Sequence, residues 1–561
     1  MIYTNKTFFR SFFIFLIFSL LLFAAPLSAE EKIDYKDIRG PKIDTLALII
    51  ISNSDSQVMA AEAGEIDIVG DITRASDIDR LSLNKKLSMS LARGLHAFFL
   101  LLNDQTPPWD DKDVRRAAAM SIDRNSIVRM LFSGYCEPIN SWLPPVSPWA
   151  LANSSEDIFN PEAAKALLKE KGYSWDISGR LLDPSGKPLP PLRLFSTVAR
   201  VAPTSAALAE LIADSLNAVG FPVEVEPMDF SAMMARLDRK DYSLAVLAWS
   251  LGKNPDSLYS FYHSEMDVDG GYNLTGTHDK ALDEALSALR FAPDKAAAEA
   301  ASTKAQRLLL DLMPSIPIYS RISVAAVSNK WKGIFTTDRV TADNFWTLLN
   351  AEPKDGKMRP LRMALADEPR NLNPFTASSA YAWQVLGLIY ESMISNDPNT
   401  LENIPAIAES WQVTVNEDGA ERHTELFFKI KRGLKWNDGS PLDARDIKAS
   451  IDFIHKNKIP RYFDAVKDIR SVETPDNFTL RVNMDGVSYW YLDNVGGLPI
   501  LPRKVIAKVK DWQTWNPLNP EGGDPRGLIG SGPFMYEKYK PGEYVIMKRN
   551  PHYRLLKGGA E

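Results

Sequence analysis

A strand, a short helix and a second strand follow one another near the start of the chain, and this pattern limits the fold more than any other stretch. Residues 43–51 form a short β-branched apolar run, which predicts a buried strand. Residues 57–64 predict a helix that ends at Gly64 in the left-handed conformation, and residues 65–69 predict the second strand. Strands joined in this way run parallel and need helices on their faces. We therefore predict an α/β fold.

The length of the chain predicts more than one lobe. A chain of 561 residues exceeds one ordinary hydrophobic core. Alternating strands and helices continue to about Tyr319. The main predicted elements are helices over 110–134, 160–171 and 208–219, and strands over 221–226 and 241–249. The polar residues 351–359 predict a linker, after which residues 361–366 begin a new strand.

Composition excludes some classes of protein. The net charge of −6 argues against a nucleic-acid footprint, which needs a basic excess. The single cysteine, Cys136, excludes an intrachain disulfide and a multi-cysteine metal site. We expect Cys136 to be a buried, inert side chain.

The first 29 residues have the pattern of a secretory signal peptide. Lys6 and Arg10 precede an apolar stretch over 11–26, and small residues at 27–29 offer a cleavage site. A retained membrane anchor is the alternative, but the apolar stretch is short of the roughly 20 residues that a span needs. We predict cleavage, export and a periplasmic location.

Residues 428–447 carry the strongest family signal. They read Phe-Lys-Ile-Lys-Arg-Gly-Leu-Lys-Trp-Asn-Asp-Gly-Ser-Pro-Leu-Asp-Ala-Arg-Asp-Ile. This segment resembles the signature of bacterial extracellular solute-binding proteins of family 5, the receptors of ABC importers for oligopeptides, dipeptides and nickel. Further segments resemble that family: 361–374, 389–393, 405–411, 530–534 and 549–553, and also 64–68, 114–124, 241–244, 271–273 and 314–319.

The order of these segments is rotated relative to the family. Those from 361 to 553 correspond to the family's early part, and those from 46 to 319 to its late part. We predict a circular permutation in which 351–359 joins the ancestral ends and 554–561 lies beside 33–41, since permutation is tolerated where termini lie close together at exposed loops. A rearranged gene is the alternative.

The resemblance implies a type II periplasmic binding protein, with two α/β lobes, a hinge and an extra domain. The two halves of the chain should share one intertwined lobe. The implied regions are a signal peptide at 1–29, lobe I at 30–105, 321–350, 360–405 and 526–561, lobe II at 106–320, the linker at 351–359 and the additional domain at 406–525.

The sequence carries no recognisable catalytic or metal-binding motif. It has no His-x-x-x-His pair, no Gly-x-Ser-x-Gly elbow and no phosphate loop. Asp111 and Asp113 are interpreted as a helix start, and Asp443 as a helix cap. We predict no enzyme activity, cofactor or metal.

The resemblance implies two ligand-binding loops. Their residues, with one further position, are Ser378, Ser379, Ala380 and Tyr381, then Trp249, Ser250, Leu251, Gly252 and Lys253, and Asn273. The first loop is expected to pair with an extended ligand through its backbone. Peptide-binding members of the family carry an Asp about three residues beyond the Trp of the second loop, where it holds the peptide's amino group.

Gly252 stands where that Asp is expected. Two readings remain open: Asp256 replaces it, or the ligand is not a free-amine peptide, because a buried ammonium without a counter-charge is costly. Lys253 suggests an anionic ligand, and an exposed loop lysine is the alternative.

These observations predict a monomeric periplasmic receptor that delivers a peptide or similar-sized solute to inner-membrane ABC permease subunits. A non-transport chaperone or sensor on the same fold is the first alternative. A secreted hydrolase is the second.

Overall fold

The computed structural model describes residues 33–152, 158–200, 202–268, 271–418, 421–517 and 528–556. The signal peptide predicted at 1–29 lies outside these residues. Two compact units divide the chain, Met1–Ile38 and Arg39–Glu561. In the first, the described residues hold a 3-10 turn, Tyr35–Asp37, in which the Asp34 side chain accepts a hydrogen bond from the Lys36 N–H at 3.0 Å. No helix of the described residues is long and apolar enough to cross a membrane.

The second unit contains the elements of the fold. Its strands are β1 (Thr45–Ile50), β2 (Ile68–Val69), β3 (Leu87–Leu102), β4 (Cys136–Pro138), β5 (Ser174–Trp175), β6 (Leu181–Leu182), β7 (Leu192–Thr197), β8 (Val223–Met228), β9 (Leu244–Ser250), β10 (Ser315–Ser328), β11 (Trp331–Lys332), β12 (Glu352–Pro353), β13 (Leu361–Leu365), β14 (Ile394–Asn396), β15 (Asn403–Pro405), β16 (Ala408–Asp418), β17 (Glu421–Ile430), β18 (Ile469–Asp476), β19 (Thr479–Asp485), β20 (Phe534–Lys540) and β21 (Tyr544–Arg549).

Helices cover these strands. They are α1 (Ser54–Ala63), α2 (Ala75–Ser82), α3 (Lys112–Ser121), α4 (Arg124–Phe132), α5 (Pro161–Glu170), α6 (Pro203–Asn217), α7 (Phe230–Asp238), α8 (Ser257–Tyr262), α9 (Lys280–Arg290), α10 (Lys295–Leu312), α11 (Phe345–Asn350), α12 (Ala380–Ile389), α13 (Ala444–Lys456), α14 (Pro460–Val466), α15 (Tyr491–Gly496) and α16 (Arg503–Ile506). A 3-10 turn spans Ser264–Met266.

Most of the large strands join one mixed, eleven-stranded sheet. Its order is β20-β21-β1-β13-β2-β10-β3-β9-β7-β8, and β4 pairs with β10. The predicted α/β fold is confirmed. The predicted parallel βαβ unit is present, since β1 and β2 run parallel in this sheet, and β13 lies between them.

The position of β13 ties the two halves of the chain together. Leu46 pairs with Leu361, and Ile68 pairs with Met363. One hydrophobic core takes buried side chains from both halves, including Leu48, Leu365 and Val545. Both halves of the chain therefore contribute strands to one sheet and side chains to one core.

A second core lies under the strands β9, β7 and β8. It contains Leu100, Leu194 and Leu244 with side chains of α3, α6 and α9. The separate four-stranded sheet β16-β17-β19-β18 packs with α13 and belongs to the first core through Phe428 and Ile447. We call the parts of the protein built around these two cores the first and the second lobe.

The sequence predicted several helix ends correctly. Gly64 ends α1 with φ of 76°. Asp443 caps α13 in a capping box with Asp446. Asp111 caps α3 by accepting a hydrogen bond from the Asp113 N–H.

The single helix predicted over 110–134 is wrong. Ile122 is extended, with φ of −98° and ψ of 113°, so α3 ends before it. The Asp123 side chain then accepts a hydrogen bond from the Ser126 N–H at 2.9 Å and begins α4. A good local cap outweighs continued apolar periodicity here.

One hydrogen bond joins Gly40 and Leu555, which belong to the two segments expected beside each other. The Gly40 N–H donates a hydrogen bond to the Leu555 carbonyl at 3.0 Å. The expected linker at 351–359 is partly ordered, since Ala351 is buried and β12 pairs with β11.

Candidate ligand-binding cleft

Two long strands, β3 and β10, connect the two cores. Along β10, Ile316, Ile318 and Tyr319 belong to the second core, whereas Ala325 and Val327 belong to the first. Between these groups the pairing with β3 is interrupted by a bulge, in which Gly94, Leu95 and His96 lie opposite Arg321 alone. Bulges of this kind bend strands and redirect side chains. The bulge therefore bends the two strands between the two cores.

Gly94 permits the close approach of the strands at this bulge. A Cβ atom at position 94 would lie 2.8 Å from the Arg321 carbonyl oxygen. Real Cβ atoms do not come this close to a backbone oxygen without a shift of the chain, so the bulge requires glycine.

Charged groups line the bulge. The Arg321 guanidinium binds the Asp71 carboxylate at 2.7 Å. Asp71 has φ of 52° in the turn after β2. Burial lowers the pKa of His96, and the positive charge of Arg321 lowers it further. Sequence reasoning missed these three residues; Gly94 inside an apolar strand was the available signal for a bulge.

The first predicted loop leads into α12. Ser379 caps α12, with its hydroxyl accepting a hydrogen bond from the Tyr381 N–H at 3.2 Å. Burial raises the pKa of Tyr381, and the negative charges of Asp71 and Asp367 raise it further. Ser378 and Ala380 are exposed.

The second predicted loop starts at the same bulge. Ser250 pairs with His96, and Trp249 pairs with Ala97. The Leu251 N–H donates a hydrogen bond to the Leu95 carbonyl at 3.0 Å. The second loop therefore borders the bulge.

Aromatic rings form one wall beside the second loop. The Trp249 ring packs against Phe261 with centroids 4.4 Å apart, and the Tyr272 ring meets Trp249 edge-on at 6.1 Å. Tyr272 is 53% exposed. Such a surface offers apolar contact area at low cost in side-chain entropy.

Gly252 is exposed and has free space around it. The nearest atom to a Cβ built there is the Asn254 backbone nitrogen, at 4.0 Å. An acidic side chain would fit at this position. Packing therefore does not explain why the expected carboxylate is absent.

Asp256 is already partnered. Its carboxylate binds the Arg290 guanidinium at 3.3 Å, and burial raises the pKa of the Asp256 carboxyl. This pairing leaves it poorly suited to replace the missing acid.

Lys253 and Asn273 have partners within the protein. The Lys253 ammonium binds Asp493 at 3.1 Å. Asn273 is buried, and its amide donates to the His263 and Thr277 carbonyls while its oxygen accepts from the Gly276 N–H. Asn273 thus fixes the loop behind Tyr272.

A separate cavity of about 470 Å³ lies in the second lobe. Asp104 lines it, with a carboxylate that accepts a hydrogen bond from the Thr277 hydroxyl at 2.6 Å and faces Arg115 at 3.5 Å. Burial raises the pKa of Asp104 to about 7, although both neighbours act against this rise.

Metal ligands are not gathered in the part of the chain that the structure describes. No group of three or more His, Cys, Asp or Glu side chains is placed to hold an ion there. Cys136 is buried, as expected, and burial raises its pKa to about 12.

The mixed α/β sheet and its two hydrophobic cores define the class of a two-lobed α/β protein. The family model for bacterial extracellular solute-binding proteins, family 5 (middle), matches residues 27–268 and 402–560. The chain belongs to this family.

Several characterised proteins resemble the chain. The di/tripeptide-binding protein 2 of Pseudomonas aeruginosa is 27% identical over 282 residues, half of each chain. The dipeptide-binding protein of Escherichia coli is 23% identical over 316 residues, 54% of this chain and 56% of its own. The chain spans about half the length of the curated relatives it matches.

Among solved structures, NikA from Brucella suis in complex with Fe(III)-EDTA is 21% identical, with a TM-score of 0.47 over 54% of this chain and 61% of its own. AppA from Bacillus subtilis in complex with a nonapeptide is 20% identical, with a TM-score of 0.44 over 52% and 57%.

Proposed function

We propose that the protein is an exported solute receptor that delivers a peptide or similar-sized solute to an ABC importer without chemical change. The observation that carries this proposal is the match of residues 27–268 and 402–560 to the solute-binding family, and the second loop starts at the bulge shared by β3 and β10, which we propose as the hinge between the lobes. Closure about such a hinge would surround a ligand and remove it from water. The peptide-binding names of the relatives agree with this class of ligand.

The ligand-contacting residues that we propose fall into two groups. Ser378, Ser379, Ala380 and Tyr381 supply backbone and one ring from the first lobe. Trp249, Ser250, Leu251 and Gly252 supply an apolar wall and backbone from the second. Lys253 and Asn273 support the site from behind, since their side chains are engaged within the protein.

We infer a rotated chain order on two grounds. The strand β13 lies between β1 and β2, as it would if the later half of the chain preceded the earlier half in an ancestor. The contact between Gly40 and Leu555 brings the two relevant segments together. We place the receptor in the periplasm and propose inner-membrane permease subunits as its partners.

Native mass spectrometry of protein purified from cells tests the receptor role. We expect a solute to co-purify with the protein, and its mass should be unchanged when mild denaturation releases it. Isothermal titration with that solute should then give saturable binding, and prolonged incubation should give no product. Turnover of the solute would instead indicate the hydrolase alternative, and the absence of any bound solute from peptide libraries or cell extract would contradict the receptor role.

A further inference from the structure

The Lys253 ammonium lies in a complete set of hydrogen-bond acceptors. Its three N–H groups point to Asn396 Oδ1 at 2.9 Å, Asn403 Oδ1 at 2.5 Å and Asp493 Oδ1 at 3.1 Å. The Lys253 side chain is 20% exposed and the Asp493 side chain 12%. One carboxylate and two amide oxygens match the three donors and the single charge of a primary ammonium.

The acceptors are held in place independently of the lysine. Asn396 and Asn403 pair with each other across the hairpin β14–β15. The Asn403 amide donates to Asp493 Oδ1, and the Asn254 amide donates to Asp493 Oδ2 at 2.8 Å. The site is therefore built before an ammonium enters it, apart from the contact of Asn254.

The ammonium and its acceptors come from different lobes. Lys253 follows Leu251, which belongs to the second core. Asp493 lies in α15, and Asn396 ends β14, where Tyr491 and Ile394 belong to the first core. The contact thus spans the opening between the lobes, at the loop that we propose for ligand binding.

A second contact fixes the same two parts of the protein. The Trp490 indole N–H donates to the Leu289 carbonyl at 2.9 Å, and the Tyr489 N–H donates to the Ala292 carbonyl at 2.6 Å. Trp490 also packs with Leu289 and Ala292 in a small apolar cluster. This aromatic contact positions α15 against the second lobe, so the ammonium site faces Lys253.

We propose that Lys253 is a specificity-determining residue that fills an ammonium site which a ligand's amino group would otherwise occupy. The protein supplies this charge itself, so closure of the lobes does not depend on a ligand amine here. Building on the proposed receptor function, the inference narrows the solute to molecules that bring no free amine to this place, such as peptides blocked at the amino end or neutral and anionic solutes. Gly252 fits this inference, because a second acid next to the site has no ammonium to bind.

Chemical rescue tests the site without any knowledge of the solute. Lys253→Ala removes the ammonium and leaves the acceptors, so propylammonium should bind the variant about tenfold or more tighter than the wild type, as expected for one lost and regained charge-assisted contact. The readout is a saturable rise in melting temperature with propylammonium. Tetramethylammonium, which has no N–H donor, should give no rise.

Two further variants sharpen the test. Lys253→Ala combined with Asp493→Asn should lose the rescue, and Lys280→Ala, which removes a lysine whose side chain is 92% exposed, should behave as the wild type. Lys253→Met keeps the apolar stem and should fold but remain unrescued, because the stem fills the space. A Lys253→Ala variant that folds but shows no rise in melting temperature with propylammonium would overturn the proposal.

Matched solutes test the specificity itself. The wild type should bind a peptide and its N-acetylated form with similar affinity, and Lys253→Ala should favour the free amine. A strong preference of the wild type for the free amine would overturn the inference. If neither peptide binds, the receptor proposal fails for peptides, while the propylammonium rescue still decides the ammonium site.

Discussion

Asp67 and Arg362 form a two-pronged salt bridge between segments that are 295 residues apart in sequence. The Arg362 Nε lies 2.9 Å from Asp67 Oδ2, and its terminal nitrogen lies 2.8 Å from Oδ1. Asp67 is almost fully buried, and its backbone N–H donates to the Arg362 carbonyl at 2.8 Å. The pair fastens β13 to the turn that leads into β2.

Removal of this pair's cation should lower the free energy of unfolding. Arg362→Ala leaves a buried carboxylate without its counter-charge, at a cost of about 3 kcal/mol. Urea denaturation, monitored by circular dichroism, measures this change in the free energy of unfolding. Arg370→Ala, at a side chain 77% exposed, should change stability by less than about 0.5 kcal/mol. Equal effects of the two variants would contradict the role of the pair.

Asp104 should make stability fall as pH rises. The pKa of Asp104 in the folded protein is about 7, above the ordinary 3.8, so the folded state binds the proton more tightly than the unfolded state. The stabilisation that results is complete below pH 3.8 and is lost as the pH rises to about 7. The slope from one group reaches about 1.4 kcal/mol per pH unit at most. Asp104→Asn should flatten the profile of unfolding free energy against pH in this window. An unchanged slope in the variant would show that the pKa of the Asp104 carboxyl is not raised. The control is Asp229→Asn, at an exposed side chain.

Gly94→Ala should disturb the hinge. The added methyl lies too close to the Arg321 carbonyl, and the strand must shift, at a cost of about 1–3 kcal/mol. We expect a lower melting temperature together with weaker binding of the co-purified solute. Gly387→Ala in α12 meets no atom within 4 Å, so it should be neutral or stabilise by up to about 1 kcal/mol. A Gly94→Ala protein with wild-type stability would mean that the bulge tolerates a side chain.

Gly252→Asp tests the missing acid directly. The position has room for the carboxylate, which would lie next to the second loop. If a ligand amine comes within hydrogen-bonding distance, a charge-assisted contact should increase affinity for free-amine peptides about tenfold. Titration calorimetry with peptide pairs, free and N-acetylated, measures this preference. Gly252→Asn is the matched control, since it adds a side chain of the same reach without the charge.

Local patterns predicted the fold well where short-range chemistry decides it. Gly64 and Asp443 acted as helix ends because their conformations depend on neighbours within three or four residues. The break at Ile122 was missed because apolar spacing continues through it. The bulge at Gly94 needed knowledge of its partner strand, more than 200 residues away in the chain.

The candidate site was predictable only in part. The resemblance indicated both loops, and in the structure the second loop starts beside the bulge. The resemblance could not indicate the partners of Lys253, because Asn396, Asn403 and Asp493 lie 143, 150 and 240 residues further along the chain. Nothing near position 253 encodes those acceptors, so the residue looked like either a ligand contact or a surface lysine.

The insertion of β13 between β1 and β2 also governs the order in which the protein can be assembled. Synthesis delivers β1 and β2 about 300 residues before the strand that pairs with both. Until then, the facing edges of β1 and β2 have no partner in the sheet, and unpaired edges invite pairing with other chains. We expect the amino-terminal half to remain unfolded or to aggregate when made alone, and refolding of the whole chain to be slow for its size.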